Sequence, residues 1–317
     1  MPSVRQLPIS DERIRLGVEE RGSIDSLQPP HKDVLAAVSC TGTTKRPRIE
    51  WRRDVVAAAA GDRGVHSRQG YVSDSILYHR KVSWTIGLGE THVWLAPTNL
   101  PPELLESAAT LLDDEERRRV ASFRFEADRR LSLIARAARR ALLGRYTGRD
   151  PRALRFVEGP QGKPSLTTGE LEFNVSHSGG HVAVAISGGG AVGVDIEAVR
   201  KTSDIIHLAA RFFSAHEAES VRTAPDEERP TRFFAYWTAK ESVIKAVGGG
   251  LSLDLRSFQT DPRLGQATPV QNLGGDSRLG GWNVFALPSG IEAVHLALAL
   301  RGTEMPRVRE FDSALLA

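Results

Sequence analysis

The sequence predicts an α+β protein built of two similar subdomains, each a small antiparallel sheet with helices packed against it. Segments that alternate between apolar and polar residues, as strands do, interleave with segments of helical period. The predicted strands arrive mainly as hairpins, without the regular strand–helix–strand order of a parallel sheet. The same order of segments occurs twice, on either side of three consecutive glycines at 188–190.

The first repeat begins with an alternating segment and continues with three amphipathic ones. We predict a strand at 91–96, helices at 103–112, 115–125 and 128–143, and a hairpin of strands at 171–176 and 181–186. Asp113 and Asp114 can cap the second helix, and Gly144 is typical of the residue that follows a helix end. Gly179 and Gly180 suit the hairpin turn.

The second repeat follows the glycines. We predict strands at 191–197, 282–287 and 293–298, and helices at 204–213, 215–222 and 231–247. Pro230 precedes the strongest of these helices, and three glycines at 248–250 end it.

Four regions follow from these segments. Residues 1–88 form an N-terminal extension, 89–189 and 190–306 the two subdomains, and 307–317 a tail. The extension contains Pro29-Pro30 and a basic stretch at 45–48 but no sustained apolar period. We therefore expect it to be poorly ordered, or to include upstream sequence from a wrongly chosen start.

The composition indicates a cytoplasmic protein. Among 317 residues, 42 Lys and Arg nearly balance 39 Asp and Glu, so the formal net charge is only +3. Cys40 is the single cysteine, which excludes an internal disulfide. No apolar run approaches the ~20 residues of a membrane helix, and the N-terminus carries charges where a signal peptide is apolar. We expect no membrane partner.

Two carboxylates stand on one predicted strand. In the alternating segment 191–197, Asp195 and Glu197 face the same side, roughly 7 Å apart along the strand. Such a pair repels unless a cation or solvent lies between. Alone it is more typical of a solvated strand face.

The helix at 231–247 offers a third carboxylate. Phe233, Trp237 and Ile244 follow one apolar stripe, and Lys240 and Glu241 fall within it. A charged pair on a buried face needs a counter-charge, a metal or a bound ligand. Glu241 would complete an oxygen site suited to Mg²⁺. The alternative is a Lys–Glu pair at the edge of the stripe.

Two further motifs suit phosphate. Residues 173–178 read Phe-Asn-Val-Ser-His-Ser, with hydroxyls and an imidazole where a strand enters a turn, and Lys163 lies in a Gly-Lys-Pro loop. Each is also compatible with an ordinary turn. Since no Gly-x-Ser-x-Gly motif is present, we do not assign Ser176 or Ser178 as a nucleophile.

Taken in order, these motifs resemble the Sfp-type 4′-phosphopantetheinyl transferases. The shared pattern is Gly-Lys-Pro, Phe-Asn-x-Ser-His-Ser and Gly-Val-Asp-Ile-Glu, followed by Arg-Phe-Phe-Ser at 211–214 with Glu217. Trp-x-x-Lys-Glu-Ser-x-x-Lys at 237–245 and Gly-Leu-Ser-Leu at 250–253 complete it. The resemblance covers about residues 91–300.

The resemblance implies a fold and an activity. Two α+β halves would pack as a pseudo-dimer with coenzyme A in the cleft between them. The enzyme would be a holo-carrier-protein synthase: it would transfer 4′-phosphopantetheine to a serine of an apo acyl or peptidyl carrier protein and release adenosine 3′,5′-bisphosphate. We expect it to be a monomer.

The resemblance also assigns residues. Asp195, Glu197 and Glu241 would hold Mg²⁺, Glu241 would act as the base, and Lys245 would contact the phosphates. The implied coenzyme A contacts are Arg119, Ser132, Lys163, Ser176, His177 and Lys240.

One departure from the family pattern concerns the 3′-phosphate. Some members carry a lysine near position 116, where this chain has Glu116, so Arg117 or Arg118 would substitute for it. Arg136 and Arg139 could meet an acidic carrier.

Two other functions compete with this one. Three carboxylates would serve another Mg²⁺-dependent phosphoester hydrolase or nuclease equally well, although the Ser-His and Gly-Lys-Pro motifs indicate a nucleotide grip. A basic nucleic-acid-binding module could use the arginines at 117–119 and 136–140. Aromatic residues make up only 6% of the chain, and no stacking platform is evident, so we expect no nucleic-acid partner.

Overall fold

The computed structural model describes residues 84–202 and 204–317. Most of the predicted extension, and Cys40 with it, lies outside the described residues. Its last part does not: Trp84 stacks on Trp94 with 5.3 Å between ring centroids, and Ile86 packs against the same core. The first subdomain therefore includes residues before the expected boundary at 89.

The helices match the predicted segments within a few residues. In the described chain they are α1 Pro102–Thr110, α2 Asp114–Ala121, α3 Glu126–Thr147, α4 Ile205–Phe212, α5 Ala215–Thr223 and α6 Arg229–Val247. Asp113 caps α2 in a capping box with Glu116. None of these helices has the length and apolar character needed to cross a membrane.

Gly144 does not end α3, contrary to the prediction. The helix continues to Thr147 and ends at Gly148, which adopts the left-handed conformation with φ 67°. A Cβ added at Gly144 would lie 2.8 Å from Pro151 Cγ and 2.9 Å from the carbonyl oxygen of Arg149. Gly144 is therefore small because the chain folds back over the helix there.

The first sheet belongs to the first subdomain. Its strands are β1 Thr91–Pro97, β4 Glu172–Ser178, β5 His181–Ser187 and β12 Arg307–Glu310, in the order β12-β1-β5-β4. The predicted hairpin is β4–β5, closed by Gly179 and Gly180, both with positive φ.

The C-terminal segment is not a free tail. Strand β12 pairs in parallel with β1, in the register His92↔Arg307 to Leu95↔Glu310. The first sheet is therefore mixed, whereas we predicted an antiparallel sheet. Phe311 and Leu316 are then buried in the first core. Residues 307–317 thus complete the first subdomain from the far end of the chain.

The second sheet is fully antiparallel. It contains β6 Val192–Ala198, β8 Ala267–Pro269, β10 Asn283–Leu287 and β11 Val294–Leu300, in the order β6-β11-β10-β8. Two small ribbons accompany the sheets: β2 Phe156–Glu158 with β3 Pro164–Leu166, and β7 Phe258–Gln259 with β9 Gln271–Asn272. The loop between β2 and β3 carries Lys163.

Three apolar clusters hold this arrangement together. Helices α1 and α3 cover one face of the first sheet, and α6 covers one face of the second. The third cluster lies between the sheets, where Val93 and Leu95 of the first sheet pack with Ile196 and Leu298 of the second. The prediction of two packed α+β subdomains is confirmed.

Candidate active site

The edges of the two sheets meet along β4 and β6, and side chains of β4 join them. Asn174 Oδ1 accepts a hydrogen bond from the Val194 backbone N–H at 2.8 Å. The Ser176 hydroxyl donates to Asp195 Oδ1 at 2.7 Å, and the Ser178 hydroxyl to Glu197 Oε2 at 2.9 Å. Because strands repeat every two residues, these three β4 side chains lie on one face. We call this line of contacts the β4–β6 seam.

Asp195 is the centre of the seam. It is fully buried, and its Oδ1 also accepts a hydrogen bond from Lys245 Nζ of α6 at 2.6 Å. The same ammonium donates to Ser176 Oγ at 2.8 Å. One residue from each of β4, β6 and α6 therefore forms a closed triangle of hydrogen bonds.

Glu197 is held through one of its two carboxylate oxygens in the described structure. Its Oε2 accepts from Ser178 and pairs with Arg200 at 3.3 Å, and the side chain is 1% exposed. Glu197 Oε1 and Asp195 Oδ2 are both buried, and neither has a hydrogen-bond partner in the described part of the chain. A buried carboxylate oxygen without a partner is costly, so the site favours a cation beside these two atoms.

The pKa shifts reflect the same cost. Burial raises the pKa of Asp195, against the opposing effect of Lys245. Burial, and then the negative charge of Asp195, raise the pKa of Glu197 to about 8. The neighbouring carboxyl groups of Asp195 and Glu197 in the β4–β6 seam therefore both resist ionisation.

Glu241 is the third predicted carboxylate. It is fully buried on α6, one turn before Lys245, and residues four apart share a helix face. In the part of the chain that the structure describes, no three His, Cys, Asp or Glu side chains form a group that could hold a metal ion. Its role as a metal ligand and base stays a prediction.

Lys240 is engaged inside the second subdomain, and its predicted contact with coenzyme A stays a prediction. Its ammonium binds Glu217 at 2.8 Å and the carbonyl oxygens of Leu255 and Phe258 at 2.8 and 2.6 Å. These contacts use all three N–H bonds of a side chain that is fully buried. Lys240 ties α6 to α5 and to the chain that follows α6.

From the sequence we expected α6 to be a helix with one apolar stripe. Phe233, Phe234 and Ser242 are all fully buried, so α6 is enclosed on most sides and its polar residues reach different surroundings. The sequence offered one indication of the partner of Lys240, because Glu217 belongs to the motif that begins with Arg-Phe-Phe-Ser at 211–214.

Lys163 lies where the two halves meet. Its ammonium donates to the carbonyl oxygen of Val192, the first residue of β6, at 2.8 Å. Burial lowers its pKa, while Glu172 opposes the shift. A lysine in these surroundings suits an anionic ligand at this end of the seam.

Ser176 and His177 take different positions, since neighbouring strand residues face opposite sides. The hydroxyl of Ser176 donates its proton to Asp195, and the predicted contact of Ser176 with a phosphate of coenzyme A stays a prediction. His177 is partly exposed on the other face of β4. Its contact with coenzyme A stays a prediction.

Arg119 and Ser132 lie close to Arg136, which we expected to meet the carrier protein instead. Arg136 Nη1 donates to Ser132 Oγ at 2.5 Å, one turn back along α3. Burial lowers the pKa of Arg136, Glu116 opposes the shift, and the positive charge of Arg119 adds to it. The spacing of four residues between Ser132 and Arg136 was a usable signal.

Glu116 and Arg139 are structural. Glu116 completes the α2 cap and accepts hydrogen bonds from Arg139 and Arg140. The Arg139 guanidinium also lies 4.0 Å above the Phe156 ring, and its side chain is only 11% exposed, so little of it is available for the expected contact with an acidic carrier. Arg117, a suggested substitute near the 3′-phosphate, is engaged by Asp114.

Two family models match this chain. The model of the 4′-phosphopantetheinyl transferase superfamily matches residues 191–296, and that of the 4′-phosphopantetheinyl transferase N-terminal region matches residues 99–188. The two matched ranges correspond to the two subdomains.

Similar curated proteins carry the same designation. The 4′-phosphopantetheinyl transferase HetI of Nostoc sp. is 35% identical over 192 residues, covering 58% of this chain and 81% of HetI. The 4′-phosphopantetheinyl transferase Sfp of Bacillus subtilis is 32% identical over 160 residues, covering 50% of this chain and 70% of Sfp. The chain therefore belongs to the 4′-phosphopantetheinyl transferase family and transfers phosphopantetheine from coenzyme A to carrier proteins.

Proposed function

We propose that the β4–β6 seam is the active site of this transferase and that Asp195, Glu197 and Glu241 hold Mg²⁺ on the diphosphate of coenzyme A. One observation carries the proposal: Asp195 Oδ2 and Glu197 Oε1 are buried carboxylate oxygens without a hydrogen-bond partner among residues 84–202 and 204–317, two residues apart on one strand face. Carboxylate oxygens are ligands that Mg²⁺ prefers, so the residues present fit this ion.

The chemistry is phosphoryl transfer to a serine hydroxyl. A Mg²⁺ ion bound there would neutralise negative charge on the diphosphate. The carrier serine oxygen forms a bond to the β-phosphorus, and the bond from that phosphorus to the bridging oxygen breaks. The serine proton passes to Glu241, and adenosine 3′,5′-bisphosphate leaves.

Lys245 supplies a second positive charge. Its ammonium is only 12% exposed and already lies between Ser176 and Asp195. A short change of rotamer would let it donate to a phosphate oxygen and stabilise charge as the diphosphate bond breaks. Its contact with Asp195 keeps that ammonium close to the reacting groups before the substrate arrives.

The nucleotide end of coenzyme A would lie against the first subdomain. Lys163 reaches the start of β6, and His177 follows Ser176 on β4. Arg119, Ser132 and Arg136 form a positively charged group on α2 and α3, which we assign to the 3′-phosphate and adenine. Arg136 supplies there the positive charge that Glu116 cannot.

The remaining expectations stay predictions. They are a monomeric enzyme in the cytoplasm, acyl or peptidyl carrier proteins as acceptors, and no nucleic-acid or membrane partner. No specific observation favours a phosphohydrolase, a nuclease or a nucleic-acid-binding module.

The test is mass spectrometry of an apo carrier protein incubated with the enzyme, coenzyme A and Mg²⁺. We expect the carrier to gain one phosphopantetheine with the wild type and none with Asp195→Ala or Glu241→Ala. Glu219→Ala is the matched control, because this carboxylate is exposed and its one ion pair within the described residues is with Arg222. Unfolding curves verify that each variant is folded. Near-normal labelling by folded Asp195→Ala would overturn the assignment.

A further inference from the structure

The two serines of the Ser-His-Ser motif each bind one oxygen of one carboxylate. Ser176 donates to Asp195 Oδ1 and Ser178 to Glu197 Oε2. The other two oxygens, Asp195 Oδ2 and Glu197 Oε1, are buried and have no hydrogen-bond partner among the residues that the structure describes. The serines thus divide each carboxylate into a fixed oxygen and one available to a ligand.

The direction of these hydrogen bonds is also fixed. A hydroxyl has one proton and otherwise only accepts. Ser178 Oγ accepts the Ala198 backbone N–H at 3.1 Å, so its proton goes to Glu197. Ser176 Oγ accepts from Lys245 at 2.8 Å, so its proton goes to Asp195. If either serine side chain changed its rotamer, it would lose both the hydrogen bond that its hydroxyl donates and the one that its oxygen accepts.

The arrangement depends on how the subdomains pack. The serines are two residues apart on β4, and the carboxylates are two residues apart on β6 of the other sheet. The bond from the Val194 N–H to Asn174 Oδ1 sets the register between these strands. The first subdomain therefore orients the carboxylates that the second subdomain supplies.

We propose that Ser176 and Ser178 are positioning residues that hold Asp195 Oδ2 and Glu197 Oε1 toward the bound cation. The inference rests on the proposed Mg²⁺ site and adds residues that determine its affinity. Groups that hydrogen-bond metal ligands typically contribute about 10–100-fold to metal affinity or activity. Ser178 is the clearer case, because the described contacts of its hydroxyl are with Glu197 and a backbone N–H, whereas Ser176 also contacts the Lys245 ammonium.

The test measures Mn²⁺ binding by electron paramagnetic resonance, with full-length protein and saturating coenzyme A. We expect Ser178→Ala to weaken Mn²⁺ binding about 10-fold and Ser178→Thr, which keeps the hydroxyl, to stay within about 3-fold of the wild type. Ser187→Ala is the control: this buried serine of β5 accepts from the Gly189 N–H at 3.3 Å and binds no carboxylate of residues 84–202 or 204–317.

The outcomes separate the two proposals. Wild-type protein that binds no Mn²⁺ would refute the metal site itself. Wild-type binding together with unweakened binding by Ser178→Ala, or equal weakening by Ser187→Ala, would refute the positioning role alone. If Ser178→Ala does not fold, Ser178→Cys, with a weaker donor of similar size, must show the weakening instead.

Discussion

Gly193 allows helix α6 to lie directly against strand β6, and Gly193→Ala is expected to separate them. A Cβ at this position would lie 2.1 Å from the carbonyl oxygen of Ser242 and 2.3 Å from the backbone nitrogen of Ala246. Both are backbone atoms of a helix buried on most sides, so no flexible side chain can move aside. Since ordinary contact begins at 3.4 Å, the strand and helix must part by about 1.3 Å.

The magnitude follows from this displacement. Overpacking a well-packed core costs typically 1–3 kcal/mol and occasionally more, and a clash with backbone lies at the upper end, at about 3 kcal/mol. For a domain of about 150–250 residues, each kcal/mol lowers Tm by about 2–4 °C, so Tm should fall by about 6–12 °C. Phosphopantetheine transfer should also fall, because the same movement pulls Lys245 from its 2.6 Å contact with Asp195.

Thermal unfolding and a carrier-labelling assay check both effects. Gly280→Ala is the matched control, since Gly280 has a negative φ and an added Cβ would come no closer than 3.5 Å to any neighbour. If Gly193→Ala unfolds within about 2 °C of the wild type, the close packing of β6 on α6 is wrong, and the derived geometry of Asp195 is wrong with it.

Three further predictions follow from the same structure. Lys245→Met should bind Mn²⁺ more tightly and lose transfer, because it removes an ammonium 2.6 Å from Asp195; weaker Mn²⁺ binding would contradict this. The pKa of Glu197 is raised from 4.5 to about 8 by burial and Asp195, so the metal-free folded state keeps a proton that the unfolded chain has lost. The stability of the folded, metal-free protein should therefore fall as pH rises from about 5 to 9. Thermal unfolding in the presence of a chelator should show a smaller fall for Glu197→Gln. An equally steep fall for Glu197→Gln would contradict the raised pKa of Glu197. Deleting residues 307–317 removes two buried apolar side chains and uncovers β1, so urea unfolding should show a loss of about 3–6 kcal/mol, and an unchanged midpoint would refute it.

Local patterns predicted most of the fold, because the elements concerned depend on residues close in sequence. The β4–β5 hairpin has its turn glycines between two alternating segments, and Asp113 has its capping partner three residues later. Strand β12 was missed because it is four residues long, Arg-Val-Arg-Glu, and pairs with a strand more than 200 residues earlier. Nothing in its local sequence indicates that partner.

In the candidate site, too, the sequence predicted what depends on neighbouring residues and not what depends on distant segments. The spacing of Asp195 and Glu197 correctly placed both carboxylates on one strand face, since a two-residue period requires it. The role of Lys240 could not be obtained in this way, because its partners Glu217 and Leu255 come from separate segments. The pairing of the serines with the carboxylates depends on how two sheets pack, which no single motif encodes.

The central claim is that Asp195 and Glu197 hold a cation on the diphosphate of coenzyme A, and ³¹P NMR tests it most directly. Mn²⁺ is added at trace level to coenzyme A with wild-type protein, and the broadening of each phosphorus signal is measured against Asp195→Asn. The account predicts that the wild type broadens the two diphosphate signals more than the 3′-phosphate signal, and that Asp195→Asn removes this difference. Equal broadening of all three signals by the wild type, or an unchanged pattern with Asp195→Asn, would contradict it.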